Sequence, residues 1–158
     1  MEATLGRRTD ATLHASLADR AYAAIRDQLL PLADIATPNQ FELQWLTGRT
    51  DPAEPNAAAA ARALGRPRVV VTSAASSRGG IATLLVEGNA EIERRQTLRE
   101  KIPNGPGDLF AGLMLGHLIN GLKAEAALDA TLAALDRVLA ASSGHDVLQL
   151  AALAGPRP

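Results

Sequence analysis

Two short apolar runs decide the fold of this chain, Val69-Val70-Val71-Thr72 and Ile81-Ala82-Thr83-Leu84-Leu85-Val86. The chain holds 32 Ala and 24 Leu but only twelve Val and Ile together, and five of those twelve lie in these runs. Ala and Leu favour helices, whereas β-branched residues favour strands. A short apolar run bounded by turn residues is typical of a strand buried under helices. We therefore predict an α/β fold with few strands and many helices.

Turn and helix signals place further elements around these strands. Gly88-Asn89 predicts a tight turn into a hairpin strand over residues 90–95, and Asp34-Ile35-Ala36 is a further candidate strand. A capping pattern at Asp51-Pro52-Ala53-Glu54 predicts a helix start, and Gly112 and Gly116 are expected to allow close helix packing. The predicted helices cover 16–31, Pro38 to Gly48, 51–64, about Leu109 to Ile119, a segment with Leu128, Leu132, Leu135 and Leu139 at helical spacing, and a turn or two over 147–153.

Length, charge and cysteine content exclude several classes of protein. At 158 residues the chain has the length of one domain and can bury a core without a disulfide or a structural metal. A net charge of −1 argues against nucleic acid or an acidic membrane as the main partner. The chain has no cysteine, which excludes disulfides and thiolate metal sites. We expect a soluble, cytoplasmic protein with no nucleic-acid or membrane partner.

The best candidate for chemistry is the turn Asn104-Gly105-Pro106-Gly107-Asp108 before an apolar helix. Glycines at a helix start let backbone N–H groups approach an anion, which the helix dipole also favours. Asp108 could then accept a proton from a hydroxyl that attacks a phosphate. The alternative is that Asp108 only caps the helix and that the glycines only form a turn. Pro106 has no N–H to donate to an anion.

Polar residues near two strand ends are further candidates. Asn39 and Glu42 could act on phosphate oxygens and on a water bound to magnesium, because Mg²⁺ prefers oxygen ligands. Glu42 could instead be a first-turn acid that complements the helix dipole. Thr72 and Ser73 follow the valine run, at the kind of strand end where α/β sheets bind ligands, or they cap a turn.

A basic stretch precedes the glycine turn. Arg94-Arg95, Arg99 and Lys101 lie within ten residues of Asn104. Such a stretch is most often a solvated face, although it could lie beside the phosphates of a nucleotide. The residue types do not decide between a solvated face and a phosphate-binding position.

Four segments in this order resemble the C-terminal half of the pyridoxal kinases, which belong to the ribokinase-like superfamily. They are Ala33-Asp34-Ile35-Ala36-Thr37-Pro38-Asn39-Gln40-Phe41-Glu42-Leu43, Val69-Val70-Val71-Thr72-Ser73, Asn104-Gly105-Pro106-Gly107-Asp108-Leu109-Phe110-Ala111 and His145-Asp146-Val147-Leu148-Gln149-Leu150. The resemblance implies a partial ribokinase-like, Rossmann-like sheet flanked by helices. It also implies ATP-dependent phosphorylation of the 5′-hydroxymethyl group of pyridoxal, with Mg²⁺.

The resemblance assigns roles residue by residue. Asp108 matches the catalytic base, and Gly105 and Gly107 match, with Asp108, the anion hole around the transferred phosphoryl group. By the same resemblance, Asn39 matches an ATP-binding position, and Glu42 matches a position that acts on the metal through water. Thr37, Thr72 and Ser73 match the remaining nucleotide-side positions.

The resemblance covers about residues 16–153. We therefore expect residues 16–158 to form the C-terminal half of a kinase domain without the family's N-terminal half, and residues 1–15 are unassigned. The missing half would carry the residues that grip the pyridoxal ring. Two alternatives stay open: a non-catalytic nucleotide-binding remnant or self-associating fragment, and a kinase for a related substrate such as hydroxymethylpyrimidine. A homodimer is a further expectation. The expected ligands are ATP, Mg²⁺ and pyridoxal or a related vitamer.

Overall fold

The computed structural model describes residues 20–48, 56–75, 81–97, 99 and 101–154. The capping pattern predicted at Asp51-Pro52-Ala53-Glu54 and the predicted helix start at Ser16 lie outside these ranges. After a first helical segment that reaches Leu32, the α-helices are α1 (Gln40–Thr47), α2 (Ala57–Ala63), α3 (Pro106–Ile119) and α4 (Ala124–Ala141). The strands are β1 (Ile35–Ala36), β2 (Arg68–Ala75), β3 (Ile81–Glu87) and β4 (Ala90–Gln96).

The four strands form one mixed sheet in the order β1-β2-β3-β4. β1 runs parallel to β2, whereas β3 runs antiparallel to both of its neighbours, β2 and β4. The predicted hairpin between β3 and β4 is confirmed, with Gly88 at φ +58° in its turn. Val70 packs with Phe110, Leu128 and other residues of α3 and α4 on one face. Helices α1 and α2 cover the other face.

The valine run is buried on both faces of the sheet, as predicted. Val69 and Val71 pack with Leu43 and Ala61 of α1 and α2, whereas Val70, one position between them, packs against α3 and α4. Successive side chains of a strand point to opposite faces, so a continuous apolar run requires a helical layer on each side. The predicted α/β layering is therefore confirmed.

The structure changes several predicted boundaries. The first helical segment widens to a π-helix over Ile25–Leu29 and ends as a 3-10 helix over Leu30–Leu32 that contains Pro31. Helix α2 begins at Ala57, because the side chain of Asn56 caps it by accepting the N–H of Ala59. The last predicted helix is reduced to a 3-10 helix over Leu150–Leu153.

The prediction that Gly112 and Gly116 allow close packing was wrong. A Cβ atom on either residue would have no heavy atom within 4 Å in the described part of the chain, outside its own helix. Helix α3 instead contacts the core through Phe110 and Met114, which are both buried. The glycines therefore lie on a part of α3 with room for a side chain.

Candidate active site

The eight residues singled out from the sequence line one cavity of about 860 Å³. They come from the β1–α1 connection and the first turn of α1, from β2 and from the start of α3, which are far apart in the chain. Their roles in chemistry stay predictions, but the fold brings them to one place. They are Thr37, Asn39, Glu42, Thr72, Ser73, Gly105, Gly107 and Asp108.

The β1–α1 connection is tied directly to β2. The N–H of Thr72 donates a 2.9 Å hydrogen bond to the carbonyl of Pro38, and Asn39 and Thr72 form an isolated parallel bridge. This pairing extends the short β1–β2 ladder beyond Ala36. It holds the start of α1 next to Thr72, so residues 33 positions apart share one wall of the cavity.

Asn39 and Glu42 form a reciprocal capping box at the start of α1. The Oδ1 atom of Asn39 accepts the N–H of Glu42 at 2.9 Å, and the Oε2 atom of Glu42 accepts the N–H of Asn39 at 2.9 Å. Such a box satisfies two backbone donors that the helix end would otherwise leave unpaired. Glu42 thus has the first-turn role that the sequence allowed, and it also lines the cavity.

Strand β2 does not end at Thr72 and Ser73, as the sequence suggested, but continues to Ala75. The register passes from Val71 opposite Leu84 to Ala74 opposite Ala82, so Thr72 and Ser73 together face one residue of β3. This is a β-bulge, a feature frequent next to active sites. Ser73 adopts φ +53°, a conformation that costs a non-glycine residue about 1–3 kcal/mol.

The glycine turn starts α3 three residues earlier than predicted. Gly105 is the N-cap residue with φ +103°, Pro106 is the first helical residue, and Asp108 is the third. The alternative in which Asp108 is the N-cap was therefore wrong. Asp108 is exposed to solvent and lines the cavity.

The start of α3 offers backbone donors to the cavity. The carbonyl of Gly105 accepts the first helical hydrogen bond, from the N–H of Leu109 at 3.0 Å. The N–H groups of Gly107 and Asp108 come before that bond, and a helix leaves such groups without a partner inside the helix. Pro106 removes one donor at the position where proline fits best. This arrangement favours an anion beside Gly107 and Asp108.

The closing segment packs against the glycine turn. A Cβ atom on Gly105 would lie 3.4 Å from Cδ1 of Leu148. The buried hydroxyl of Ser142 positions this segment by accepting the N–H of Gln149 at 2.8 Å and donating to the carbonyl of Val138 at 2.6 Å. The segment 145–150, singled out by resemblance, therefore supports the turn structurally.

Several cavity residues were missed or left undecided by the sequence. Leu132, Leu135 and Leu139, part of the leucine stripe of α4, form an apolar part of the lining. Asp136 of α4 lines the cavity beside Arg99, and Arg95 lines it as well. The sequence contains one signal for Asp136: it lies between Leu135 and Leu139 of the stripe, and so close to the helix face that lines the cavity.

Helices cover both faces of the sheet, and the connection after β1, the bulge of β2 and the start of α3 line one cavity. These features define an α/β domain with a cavity of the size that holds a small ligand. Comparison with known proteins identifies it further. Residues 10–146 match the family described as phosphomethylpyrimidine kinase. The chain belongs to this family.

Curated relatives are pyridoxal kinases. A pyridoxal kinase of Leifsonia xyli subsp. xyli is 40% identical over 135 residues, which are 80% of this chain and 47% of that protein. A pyridoxine/pyridoxal/pyridoxamine kinase of Bordetella bronchiseptica is 41% identical over 138 residues, 80% of this chain and 48% of that protein. The resemblance seen in the sequence is confirmed, and the chain spans about half the length of these relatives.

Solved structures support the fold. The ADP complex of Bacillus subtilis pyridoxal kinase matches with a TM-score of 0.63 and 25% identity over 74% of this chain and 46% of that chain. A Clostridium difficile phosphomethylpyrimidine kinase matches with a TM-score of 0.58 and 19% identity over 71% of this chain and 46% of that chain. The ribokinase-like architecture, present in part, is therefore confirmed.

Within the described ranges, no helix is both long enough and apolar enough to cross a membrane.

Proposed function

We propose that this chain carries the ATP-binding and catalytic part of a kinase that phosphorylates the 5′-hydroxymethyl group of pyridoxal. The observation that carries the proposal is the convergence of all eight family-matched residues on one cavity. The relatives named as pyridoxal kinases support the substrate class. In this proposal residues 16–158 correspond to the C-terminal half of the kinase domain.

The start of α3 supplies two chemical groups for phosphoryl transfer. The N–H groups of Gly107 and Asp108 would hold the oxygens of the transferred phosphoryl group, where the helix dipole favours negative charge. The exposed carboxylate of Asp108 would accept the proton of the attacking hydroxyl. Because both groups belong to one helical turn, the base is fixed relative to the phosphate that is attacked.

The cavity residues fit a magnesium ion carried with the nucleotide. Among the described residues no group of three His, Asp or Glu could hold a metal. Mg²⁺ needs only one or two carboxylates when phosphates and waters supply its other ligands. Glu42 uses one oxygen for the N–H of Asn39, and a carboxylate can accept several more hydrogen bonds, so Glu42 could hold the ion through water. When bound, Mg²⁺ would neutralise phosphate charge.

The decisive experiment is pyridoxal-dependent release of ADP by the purified chain with MgATP. We expect Asp108→Asn to lower turnover at least about a hundredfold, the usual minimum for loss of a general base. ADP affinity should be retained, because the backbone donors stay in place. Asp34→Asn is a matched control, since Asp34 is exposed and does not line the cavity. Stabilisation by MgATP without ADP release would support the non-catalytic module instead.

A second substrate is favoured by the family description, which names phosphomethylpyrimidine kinase. Hydroxymethylpyrimidine also presents a hydroxymethyl group on a heteroaromatic ring. Turnover of both substrates at equal enzyme concentration, with each tested as a competitor of the other, distinguishes the two. Faster turnover of hydroxymethylpyrimidine would replace pyridoxal in the proposal.

A second copy of the chain is the partner that we propose for the apolar groove beside β1. Tyr22, Ile25, Leu29 and Phe41 line this groove of about 510 Å³, and Leu29 and Phe41 are 62% and 70% exposed. In the described part of the sheet β1 pairs only with β2, so one edge is open to another strand. Sedimentation should show a dimer that Leu29→Asp dissociates. A wild-type monomer would contradict it.

A further inference from the structure

The basic stretch before the glycine turn is divided by the fold into two parts. Arg95 and Arg99 line the cavity, whereas Arg94 does not. Arg94 instead pairs with Glu125 and Asp129 of α4, at 2.7 Å each. The sequence left open whether this stretch is a solvated face or lies beside phosphates. The structure places Arg94 in ion pairs with α4, and it places Arg95 and Arg99 in the lining of the cavity.

Arg99 is held in one orientation by α4. Its Nη2 and Nε atoms donate to the same oxygen of Asp136, Oδ1, at 2.5 and 3.2 Å. Asp136 lies on α4 and also lines the cavity. A guanidinium group has five N–H donors in a planar fork, and in the described part of the chain no hydrogen bond uses Nη1 of Arg99.

We propose that Arg99, oriented by Asp136, binds the phosphate chain of the nucleotide in the cavity. This inference rests on the proposed ATP-binding function and adds a phosphate-binding residue to it. Arg99 lines the cavity that also contains the backbone donors at the start of α3. One cavity thus offers two separate sets of donors, which suits a chain of phosphates better than a single anionic group.

A purely structural role for Arg99 makes a different prediction. Its side chain is 32% exposed and that of Asp136 is 62% exposed. Exposed ion pairs contribute little to stability, and the Arg94 pairs attach β4 to the same helix. If Arg99 only connected its segment to α4, its removal would change nucleotide binding no more than removal of Arg94. Arg94 is therefore a matched control.

The test is calorimetric binding of ADP, AMP and adenosine to wild-type protein and to Arg99→Gln, Arg99→Lys and Arg94→Gln variants. A charge-assisted hydrogen bond corresponds to about a tenfold or larger change in affinity. We expect Arg99→Gln to weaken ADP by about that factor, to weaken AMP less and to leave adenosine unchanged. Arg99→Lys should lose part of this affinity, because it keeps the charge but not the fork. Arg94→Gln should bind all three ligands as the wild type does.

Salt dependence gives a second readout. The affinity of wild-type protein for ADP should fall more steeply with rising salt than that of Arg99→Gln, because one charge contact is lost in the variant. If wild type and Arg99→Gln bind ADP with equal affinity, or if the variant loses as much affinity for adenosine as for ADP, the proposed role of Arg99 is overturned. The proposed nucleotide site would still stand. Failure of wild-type protein to bind ADP overturns the proposed nucleotide site itself. If Arg99→Gln does not fold, Arg99→Lys decides the outcome by the same criteria.

Discussion

Gly105 is the glycine whose conformation the proposed anion site requires. It caps α3 with φ +103° and ψ 1°, in the left-handed region. A residue with a Cβ atom pays about 1–2 kcal/mol to adopt that region. We predict that Gly105→Ala destabilises the protein by about this amount. The new methyl group would lie 3.4 Å from the end of the Leu148 side chain, which can move by a few tenths of an ångström, so contact adds little.

Gly112 provides the opposite case within the same helix. It lies in the middle of α3, and a Cβ atom there would have no neighbour within 4 Å outside its own helix in the described part of the chain. Glycine in a helix interior is less stable than alanine by about 0.5–1 kcal/mol. Gly112→Ala should therefore stabilise the protein by that amount.

Thermal unfolding of the two variants and the wild type measures both effects. For a chain of this size 1 kcal/mol shifts the melting temperature by about 2–4 °C, so the variants should melt on opposite sides of the wild type. Gly105→Ala should also weaken ADP binding, whereas Gly112→Ala should not. If Gly105→Ala is as stable as Gly112→Ala, the left-handed turn and the anion site built on it are refuted.

Three further predictions concern the elements that hold the site. Asn39→Ala should cost about 1 kcal/mol in the free energy of unfolding, because the cap of α1 is lost, and Asn39→Asp should restore most of it. Ser142→Ala should cost about 1–2 kcal/mol by urea unfolding, because both hydrogen bonds of its buried hydroxyl disappear; an unchanged midpoint would contradict either prediction. Arg94 lowers the pKa of Asp129 through a hydrogen bond. The pair therefore stabilises the fold fully above the pKa of an unfolded aspartate, about 3.9. This contribution is lost as the pH falls through the lower pKa of the folded state. Wild type and Asp129→Asn should therefore differ by less than about 1 kcal/mol near neutral pH and converge in acid; a difference that grew in acid would contradict the pair.

Most of the regular elements were predictable, because their signals are local. The valine run, the turn at Gly88-Asn89 and the end of α1 at Gly48 are features of a few neighbouring residues, and the structure confirms each. The start of α3 was misplaced because Asp108 looked like a cap. The left-handed conformation of Gly105 and the preference of proline for the first helical position favour the earlier start.

The bulge in β2 was beyond prediction, because it depends on pairing with a second strand. Nothing in Thr72-Ser73 itself says that two residues will face one residue of β3. The ion pair of Arg99 with Asp136 was hidden for the same reason, since the two residues are 37 positions apart. A charge run in a sequence does not reveal which of its members a distant helix will hold.

The sequence by itself determined the layered α/β character, the chemical identity of the eight site residues and the family resemblance that links them. These follow from propensities, turn residues and short motifs, which act over a few positions. Only the tertiary structure decided that the start of α1, the bulge of β2 and the start of α3 surround one cavity. It also separated Arg99, which lines that cavity, from Arg94, which secures β4 to α4. The physical reason is that hydrogen bonds such as Thr72 to Pro38 join segments that share no local signal.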